Sequence, residues 1–292
     1  MTSLIEQATE RLEQLRRAGA EMPQETPQRA KTPEPPPQRA EVGSATPARQ
    51  VMIDLQSVAA SGIVTPNAPR SQVADQFRVI KRPLISNATG KGASAIANGN
   101  LIMVTSALPG EGKTFTAINL AMSIATELDN TVMLVDADVA RPSVLSMLGL
   151  PAGPGLLDLL VDEQLDVGSV LLKTNIDKLT ILPSGTSHAR ATELLASDAM
   201  ARLLESMAKR YADRIIVFDS PPLLLTTESR VLASHMGQIV VVVQAEKTLQ
   251  ADVEQALATI AACPVKLMVL NQARTSAKDG YGYGYGYGYE HV

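Results

Sequence analysis

The chain has 292 residues, of which 45% are hydrophobic and 3% aromatic, and its formal net charge at pH 7 is −4. This length supports a substantial buried core, and the mild acidity gives no basic surface of the kind that binds nucleic acid. We therefore expect no nucleic-acid partner. The single cysteine, Cys263, cannot form an internal disulfide and is predicted to be a small buried hydrophobe.

The first 50 residues differ in composition from the rest. Residues 3–18 have apolar positions at helical spacing and predict a short helix, which is either a docking element for a partner or a frayed tail. Residues 21–50 are dense in Pro, Gln and charge, which predicts a disordered linker that acts as a spacer or as an adaptor-binding motif. No apolar run is long enough to span a bilayer and no signal peptide is present, so we expect a soluble, cytoplasmic protein.

Six short apolar runs follow between residues 101 and 270, separated by helical patterns. They read LIMVTS, VMLVD, LTILPSG, IIVFDS, IVVVVQ and KLMVLN. Near-continuous apolar strands interleaved with helices are typical of a parallel sheet covered on both faces. We therefore predict a doubly wound, mainly parallel α/β domain over residues 51–273 and a flexible Tyr/Gly-rich tail over residues 274–292.

The segment ALPGEGKT, residues 107–114, has the spacing of a phosphate-binding loop between a strand and a helix. Ala107 replaces the first glycine of the GxxxxGK[ST] frame. In such a loop backbone N–H groups and the following helix N-terminus bind phosphate oxygens. The alternative is a glycine-rich turn that binds no nucleotide. The predicted nucleotide-binding residues are Pro109, Gly110, Glu111, Gly112, Lys113, Thr114 and Phe115, with Lys113 on the β and γ phosphates and Thr114 on Mg²⁺.

Three aspartates follow apolar runs, Asp136 and Asp138 in VMLVDADVARPS and Asp219 in IIVFDSPP. Strand carboxyl ends meet at one edge of an open α/β sheet, where ligands bind. A single aspartate at a strand end is often a helix cap or turn residue, but three beside a phosphate-binding loop favour metal-dependent phosphoryl chemistry. We predict Asp138 and Asp219 as metal ligands and Asp136 as the group that orients or deprotonates an attacking hydroxyl. Asn271, after the last run, is either an adenine contact or a turn former.

These three motifs resemble the Walker A, Walker A′ and Walker B motifs of bacterial tyrosine autokinases (BY-kinases), over about residues 71–292. The sequences DADVARPS and FRVIKRPL are similar to those of members associated with exopolysaccharide and exosortase loci. The resemblance implies a P-loop NTPase fold, ATP and Mg²⁺ as cofactors, and Lys113, Asp136 and Asp138 as catalytic residues. Partitioning ATPases of the same class carry a lysine where this chain has Leu108, which argues against that function.

The resemblance also implies a homo-oligomer, assembled as a ring through an ExxRxxR helix motif. Asp75, Arg78 and Lys81 occupy the three positions here. The alternative is a solvated helix face, with the helix broken at Pro83. Many relatives are fused to, or activated by, a membrane protein of polysaccharide export. The resemblance therefore implies a separate membrane activator that recruits the chain to the inner face of the membrane.

The end of the sequence, GYGYGYGYGYE, alternates tyrosine with glycine. Glycine does not obstruct entry to a phosphate site, and such a segment can offer successive hydroxyls to one base. We predict phosphorylation in trans, whereas the alternative is a self-associating low-complexity tail. Two other functions remain open, a partitioning-type ATPase switch and a nucleotide-controlled assembly regulator. The predicted phosphoacceptors are Tyr281, Tyr283, Tyr285, Tyr287 and Tyr289.

Overall fold

The computed structural model describes Gln14 and residues 49–66, 71–92 and 95–274. The N-terminal helix predicted over residues 3–18, apart from Gln14, lies outside the described residues, as do residues 21–48 of the predicted linker and the five tail tyrosines. Within the described ranges, no helix is both long enough and apolar enough to cross a membrane.

Eight strands form one sheet, in the order β1-β4-β5-β3-β6-β2-β7-β8. Every neighbouring pair is parallel except β4 with β5. The strands are β1 (Arg49–Gln50), β2 (Leu101–Ser106), β3 (Thr131–Asp136), β4 (Leu172–Lys173), β5 (Leu179–Leu182), β6 (Arg214–Asp219), β7 (Gln238–Gln244) and β8 (Val265–Asn271).

The six apolar runs each form one of the longer strands, so the predicted doubly wound, mainly parallel sheet is confirmed. Two details differ. Arg49 and Gln50 form β1, inside the predicted linker, because a two-residue strand leaves no pattern in the sequence. β8 is an edge strand on which Met268 and Leu270 are exposed, so the prediction that both faces are covered is wrong there.

Helices cover both faces of the sheet. On β2, Ile102 and Val104 contribute to the core beneath α1–α4, whereas Leu101 and Met103 contribute to the core beneath α5–α10. Cys263 is buried in the second of these cores, as predicted. The helices are α1 (Leu55–Ala60), α2 (Gln72–Ala88), α3 (Lys113–Ala125), α4 (Val144–Met147), α5 (Leu156–Val161), α6 (Val167–Val170), α7 (Ala191–Leu195), α8 (Asp198–Arg210), α9 (Glu228–Ser234) and α10 (Gln250–Thr259).

Helix α2 continues through Pro83 to Ala88, so the predicted break at this proline is wrong. A proline inside a helix removes the hydrogen bond to the carbonyl four residues earlier, which here belongs to Val79. Val79 is 71% exposed. Water can therefore satisfy its carbonyl, while Phe77 and Leu84 hold the helix to the core.

Parallel pairing brings the predicted site residues to one edge of the sheet. Asp136 on β3 and Asp219 on β6 are paired in register, at the last positions of adjacent strands. β6 also pairs with β2, whose end leads into the phosphate-binding loop and then into α3. The two carboxylates and the loop therefore lie together at the carboxyl edge.

Candidate functional site

The phosphate-binding loop connects β2 to α3 and depends on glycine at two positions. Gly110 and Gly112 have φ angles of +84° and +93°, in the left-handed region that other residues rarely adopt. Gly112 immediately precedes α3, whose first residue is Lys113. The unpaired N–H groups of the first helical turn therefore point into the loop, where the helix dipole favours an anion.

Side chains behind the loop hold it in place. Glu111 is buried, and its carboxylate accepts hydrogen bonds from the Leu108 N–H, at 2.7 Å, and from the Thr248 hydroxyl. The Asn271 amide donates to the Glu111 carbonyl at 2.9 Å, and Gln272 donates to the Gly110 carbonyl at 3.3 Å. The side chains of Glu111 and Asn271, both predicted as nucleotide contacts, thus bind the loop itself.

The roles of Thr248 and Gln272 were not predicted. Each lies more than a hundred positions from the loop residue that it contacts. No motif marks either residue, because their contacts arise from the packing of the β7–α10 turn and the end of β8 against the loop.

Lys113 and Asp138 form an ion pair at the start of α3. The Lys113 Nζ lies 2.6 Å from Asp138 Oδ2, and both side chains are largely shielded from solvent. Beside them the Thr114 hydroxyl lies 3.2 Å from the Ser143 hydroxyl. The structure therefore places the predicted phosphate-binding lysine and the predicted metal-binding threonine at the mouth of the loop, with Ser143 as an additional neighbour.

Asp136 is 1% exposed, and only one of its two carboxylate oxygens accepts hydrogen bonds. Its Oδ2 accepts hydrogen bonds from the Ser143 N–H at 3.1 Å and the Val144 N–H at 3.0 Å. Its Oδ1 has no hydrogen-bond partner in the described part of the chain. Burial raises the pKa of Asp136 to about 6, and the backbone hydrogen bond from Val144 limits the rise.

Asp219 is fully buried, and both of its carboxylate oxygens lack hydrogen-bond partners among the described residues. Burial raises the pKa of Asp219 to about 7, although the nearby Lys113 ammonium opposes the rise. A buried carboxylate without partners is costly to maintain. The Asp219 carboxylate is therefore a strong candidate for binding a cation.

The oxygen atoms at this edge fit a magnesium ion. Mg²⁺ prefers hard oxygen ligands and usually takes only one or two carboxylates from the protein, with water and phosphate as the other ligands. The unpaired oxygens of Asp219, the Asp138 carboxylate and the Thr114 hydroxyl supply such ligands. Within residues 49–66, 71–92 and 95–274, no group of three or more His, Cys, Asp or Glu side chains forms a metal site by itself.

Two other predicted loop residues lie differently. Pro109 is exposed to solvent. The Phe115 side chain packs against the core beneath α1–α4 and lines an apolar groove of about 440 Å³ with Val79 and Met268. Phe115 can therefore contact a phosphate through its backbone N–H, but its ring faces the groove.

The three predicted assembly residues divide into two groups. Asp75 and Arg78 form an exposed ion pair on α2. Lys81 is 3% exposed, and its Nζ donates to the Ser123 carbonyl at 2.5 Å and lies 2.7 Å from Glu127. This arrangement corrects the expectation that Lys81 faces a neighbouring subunit, because its charge is satisfied within its own chain.

We expect Lys81→Met to lower the free energy of unfolding by roughly 1–3 kcal/mol, because it removes charge-assisted hydrogen bonds from the α2–α3 interface. Arg78→Met is the control, since a surface ion pair contributes less than about 1 kcal/mol. Urea denaturation of both variants measures the difference. Equal losses in the two variants would contradict the internal role of Lys81.

Comparisons with known proteins identify the family. The sequence profile of the AAA domain family matches residues 99–271, more than half of the chain. YwqD of Bacillus subtilis (strain 168), named a tyrosine-protein kinase, is 30% identical over 221 residues, which cover 75% of this chain and 89% of YwqD. ExoP of Rhizobium meliloti (strain 1021), named a succinoglycan biosynthesis transport protein, is 34% identical over 185 residues, which cover 62% of this chain and 22% of ExoP.

Solved structures agree with this assignment. The chimerical protein CapA2B2 superposes with a TM-score of 0.60 at 26% identity, covering 77% of this chain and 94% of that one. The chain spans most of YwqD but only 21% to 25% of several longer curated relatives. The P-loop fold and the kinase relatives imply the use of a nucleotide and a divalent metal. Because motifs, fold and relatives agree, the chain belongs to the bacterial tyrosine kinases, a family of P-loop enzymes.

Proposed function

We propose that the chain is an ATP- and Mg²⁺-dependent tyrosine autokinase that phosphorylates its own C-terminal tyrosines in trans. The observation that carries this proposal is the group of charges at the loop. Lys113 is paired with Asp138, and the buried carboxylates of Asp136 and Asp219 retain unpaired oxygens beside that pair. Phosphoryl transfer requires this combination of a fixed cation, oxygen ligands for a metal and an acceptor for a proton.

The residues divide the reaction between them. Lys113 and the N–H groups of the loop stabilise the charge on the transferred phosphoryl group. Bound Mg²⁺ would neutralise phosphate charge, held by Thr114, Asp138 and Asp219. Asp136 Oδ1 accepts the proton of the tyrosine hydroxyl. The tyrosine oxygen then bonds to the γ-phosphorus, the bond from that phosphorus to the β–γ bridging oxygen breaks, and ADP leaves.

The tail is long enough to reach a second subunit. From Arg274 to Tyr289 the extended chain spans on the order of 50 Å. A domain of about 220 residues has a radius of gyration of roughly 17 Å. The tail of one subunit could therefore reach the site of a directly neighbouring subunit. We propose that the exposed Asp75 and Arg78 on α2 form contacts between subunits.

The proposal includes a place in exopolysaccharide synthesis or export. It draws support from ExoP, whose name refers to succinoglycan biosynthesis and transport. A separate membrane partner would then recruit the chain to the inner face of the membrane. Co-sedimentation with vesicles that carry the export machinery, compared with vesicles that lack it, tests the recruitment.

The kinase proposal is tested by incubation with γ-labelled ATP and Mg²⁺, followed by phosphosite mapping. We expect label on the tail tyrosines of the full chain and none on a chain that ends at Arg274. Mixing this truncated chain, which retains the site, with full-length Lys113→Met should label the Lys113→Met tail, because the site of one subunit acts on the tail of another.

Other outcomes would point to the rival functions. Phosphate release that is unaffected by tail deletion, without label on protein, would indicate a partitioning-type ATPase. An ATP-dependent change in mass without turnover would indicate an assembly regulator. Label that appears only on chains with an intact Lys113 of their own would contradict transfer in trans.

A further inference from the structure

A cavity of about 230 Å³ lies at the amino edge of the sheet, at the opposite end of the strands from the phosphate-binding loop. Its walls come from the first residues of β3, β5 and β6 and from the connection between β4 and β5. The volume is below the roughly 300–1,000 Å³ of sites for drug-sized ligands, so the cavity suits a small ion or group better than a nucleotide. Its ionisable residues are Lys173, Asp177, Lys178 and Arg214.

Two buried polar atoms of residues that line this cavity have no hydrogen-bond partner among the described residues. They are the Thr131 hydroxyl oxygen and the Arg214 Nε. The other side-chain atoms in this condition all belong to the carboxylates of Asp136 and Asp219 in the candidate site. Buried polar groups are seldom left unpaired, and each exception requires an explanation. The observation that marks the metal site therefore marks this cavity as a second place for a ligand.

The charges of the lining favour an anion. The Arg214 guanidinium lies 5.0 Å from the centre of the Tyr211 ring, and this stacking orients it. Neither Arg214 nor Lys173 forms an ion pair in the part of the chain that the structure describes. The Lys178 ammonium is already used, since it donates to two carbonyl groups just after α3, each at 2.6 Å. One acidic side chain, Asp177, lines the same cavity.

We propose that this cavity binds a phosphate group, either as free phosphate or as the monoester of a small molecule. The planar fork of Arg214 and the ammonium of Lys173 would supply charge-assisted hydrogen bonds, and the Thr131 hydroxyl a neutral one. These three donors come from three different strands, β6, β4 and β3, and such a set suits a tetrahedral oxyanion better than a planar carboxylate. The bound anion would provide the acceptor that the unpaired donors lack.

The two strands that begin at this cavity end at the candidate site. Thr131 and Arg214 are the paired first residues of β3 and β6, and Asp136 and Asp219 are their paired last residues. The first and last residues of such a strand lie about 17 Å apart. A phosphate group in the cavity therefore does not overlap the nucleotide site, and both places can be occupied at once.

Calorimetric titration with inorganic phosphate, at an ionic strength held constant with chloride, tests the site. Because the loop can also bind phosphate, the full chain carries Lys113→Met/Asp138→Asn, which removes the cation of the loop together with its counter-ion. We expect saturable phosphate binding in this background. Adding Lys173→Met should weaken it at least about tenfold, because a charged donor is lost. Lys209→Met is the matched control, an exposed lysine outside the cavity lining, and should change the affinity less than about twofold.

A variant that gains affinity guards against effects of poor folding. Asp177→Asn removes the negative charge from the cavity lining and should tighten phosphate binding about twofold to fivefold. A destabilised protein cannot imitate this gain. Arg214→Lys keeps the charge but loses the planar fork, so it should weaken binding.

A second series with glycerol phosphate distinguishes the two sources of the phosphate group. Tighter binding of this monoester than of inorganic phosphate would identify a phosphorylated small molecule, and equal or weaker binding would identify free phosphate. Absence of saturable binding of either compound, or affinities that Lys173→Met and Asp177→Asn leave unchanged, would overturn the site. None of these measurements requires transfer to tyrosine, so failure of the proposed kinase function would leave the result intact.

Discussion

Lys113→Met is expected to reduce autophosphorylation by roughly a hundredfold to a thousandfold. The Lys113 Nζ lies 2.6 Å from Asp138 Oδ2, and Lys113 is the first residue of α3, at the helix N-terminus where phosphate would bind. Methionine keeps a long, unbranched apolar side chain but removes the charged end of the lysine. The backbone N–H groups remain, so nucleotide affinity should fall less than the rate of transfer.

The stability of this variant has to be separated from its chemistry. Removal of Lys113 leaves the buried Asp138 without a counter-charge, which costs up to about 3–5 kcal/mol. The double variant Lys113→Met/Asp138→Asn should recover much of that stability and remain inactive. Lys209→Met is the control, because Lys209 forms a surface ion pair with Glu205. Denaturation curves and labelling rates for all three variants test the prediction, and full activity in the double variant would contradict it.

Asp219→Asn is expected to stabilise the nucleotide-free protein while reducing kinase activity at least about a hundredfold. The carboxylate of Asp219 is fully buried and unpaired among the described residues, whereas an amide at the same position carries no charge. A buried charge without a partner is among the costliest groups in a protein interior. In a metal site this destabilisation is tolerated, because the bound metal ion becomes the partner of the buried carboxylate.

The pH dependence follows from the direction of the shift. Burial raises the pKa of Asp219 from 3.8 to about 7, so the Asp219 carboxyl binds its proton more tightly in the folded state than in the unfolded state. The resulting stability is fully present below about pH 4 and is lost as the pH rises through 7. The rise corresponds to roughly 4 kcal/mol at most, and we expect the stabilisation by asparagine at pH 8 to lie between about 1 and 4 kcal/mol.

Urea denaturation at pH 5 and pH 8, without nucleotide or metal, measures this effect. Asp219→Asn should have its greatest advantage over the unmodified chain at pH 8 and a smaller advantage at pH 5, where the unfolded carboxyl is already ionised but the folded one is still protonated. Asp213→Asn is a matched control, because Asp213 is an exposed aspartate immediately before the opposite end of β6. An advantage that is equal at both pH values, or shared by Asp213→Asn, would contradict the assignment to a buried charge.

Strand positions and the loop could be predicted because each leaves a contiguous signal. The runs that became β2, β3, β6, β7 and β8 are apolar over four or more successive residues, as burial on both faces requires of most of them, and the run that became β5 is interrupted only by Thr180. The three aspartates could be brought together because parallel strands end at one edge. Local pattern and general topology were therefore sufficient to place the charges.

The remainder depends on contacts between distant parts of the chain. The ammonium of Lys81 lies inward because the end of α3 offers a carbonyl and a carboxylate, which no pattern in α2 reveals. Pro83 is tolerated because the carbonyl that it leaves unpaired belongs to an exposed residue. The Glu111 carboxylate is held by hydrogen bonds from the Leu108 N–H and from Thr248, which lies far along the sequence and which no pattern in the loop reveals.

The hydrogen bond from Gln272 to the Gly110 carbonyl has a consequence for the kinetics of the tail. Gln272 lies two positions before the tail and is hydrogen-bonded to the loop, and eight residues separate it from Tyr281, a reach of about 30 Å at most. In the proposed autokinase, a tether of this length would keep its tyrosines at an effective concentration on the order of millimolar near its anchor. Under the proposed autokinase function, the supply of tyrosine hydroxyls to a site within reach would therefore be set by the position of Gln272 and would not depend on the bulk protein concentration.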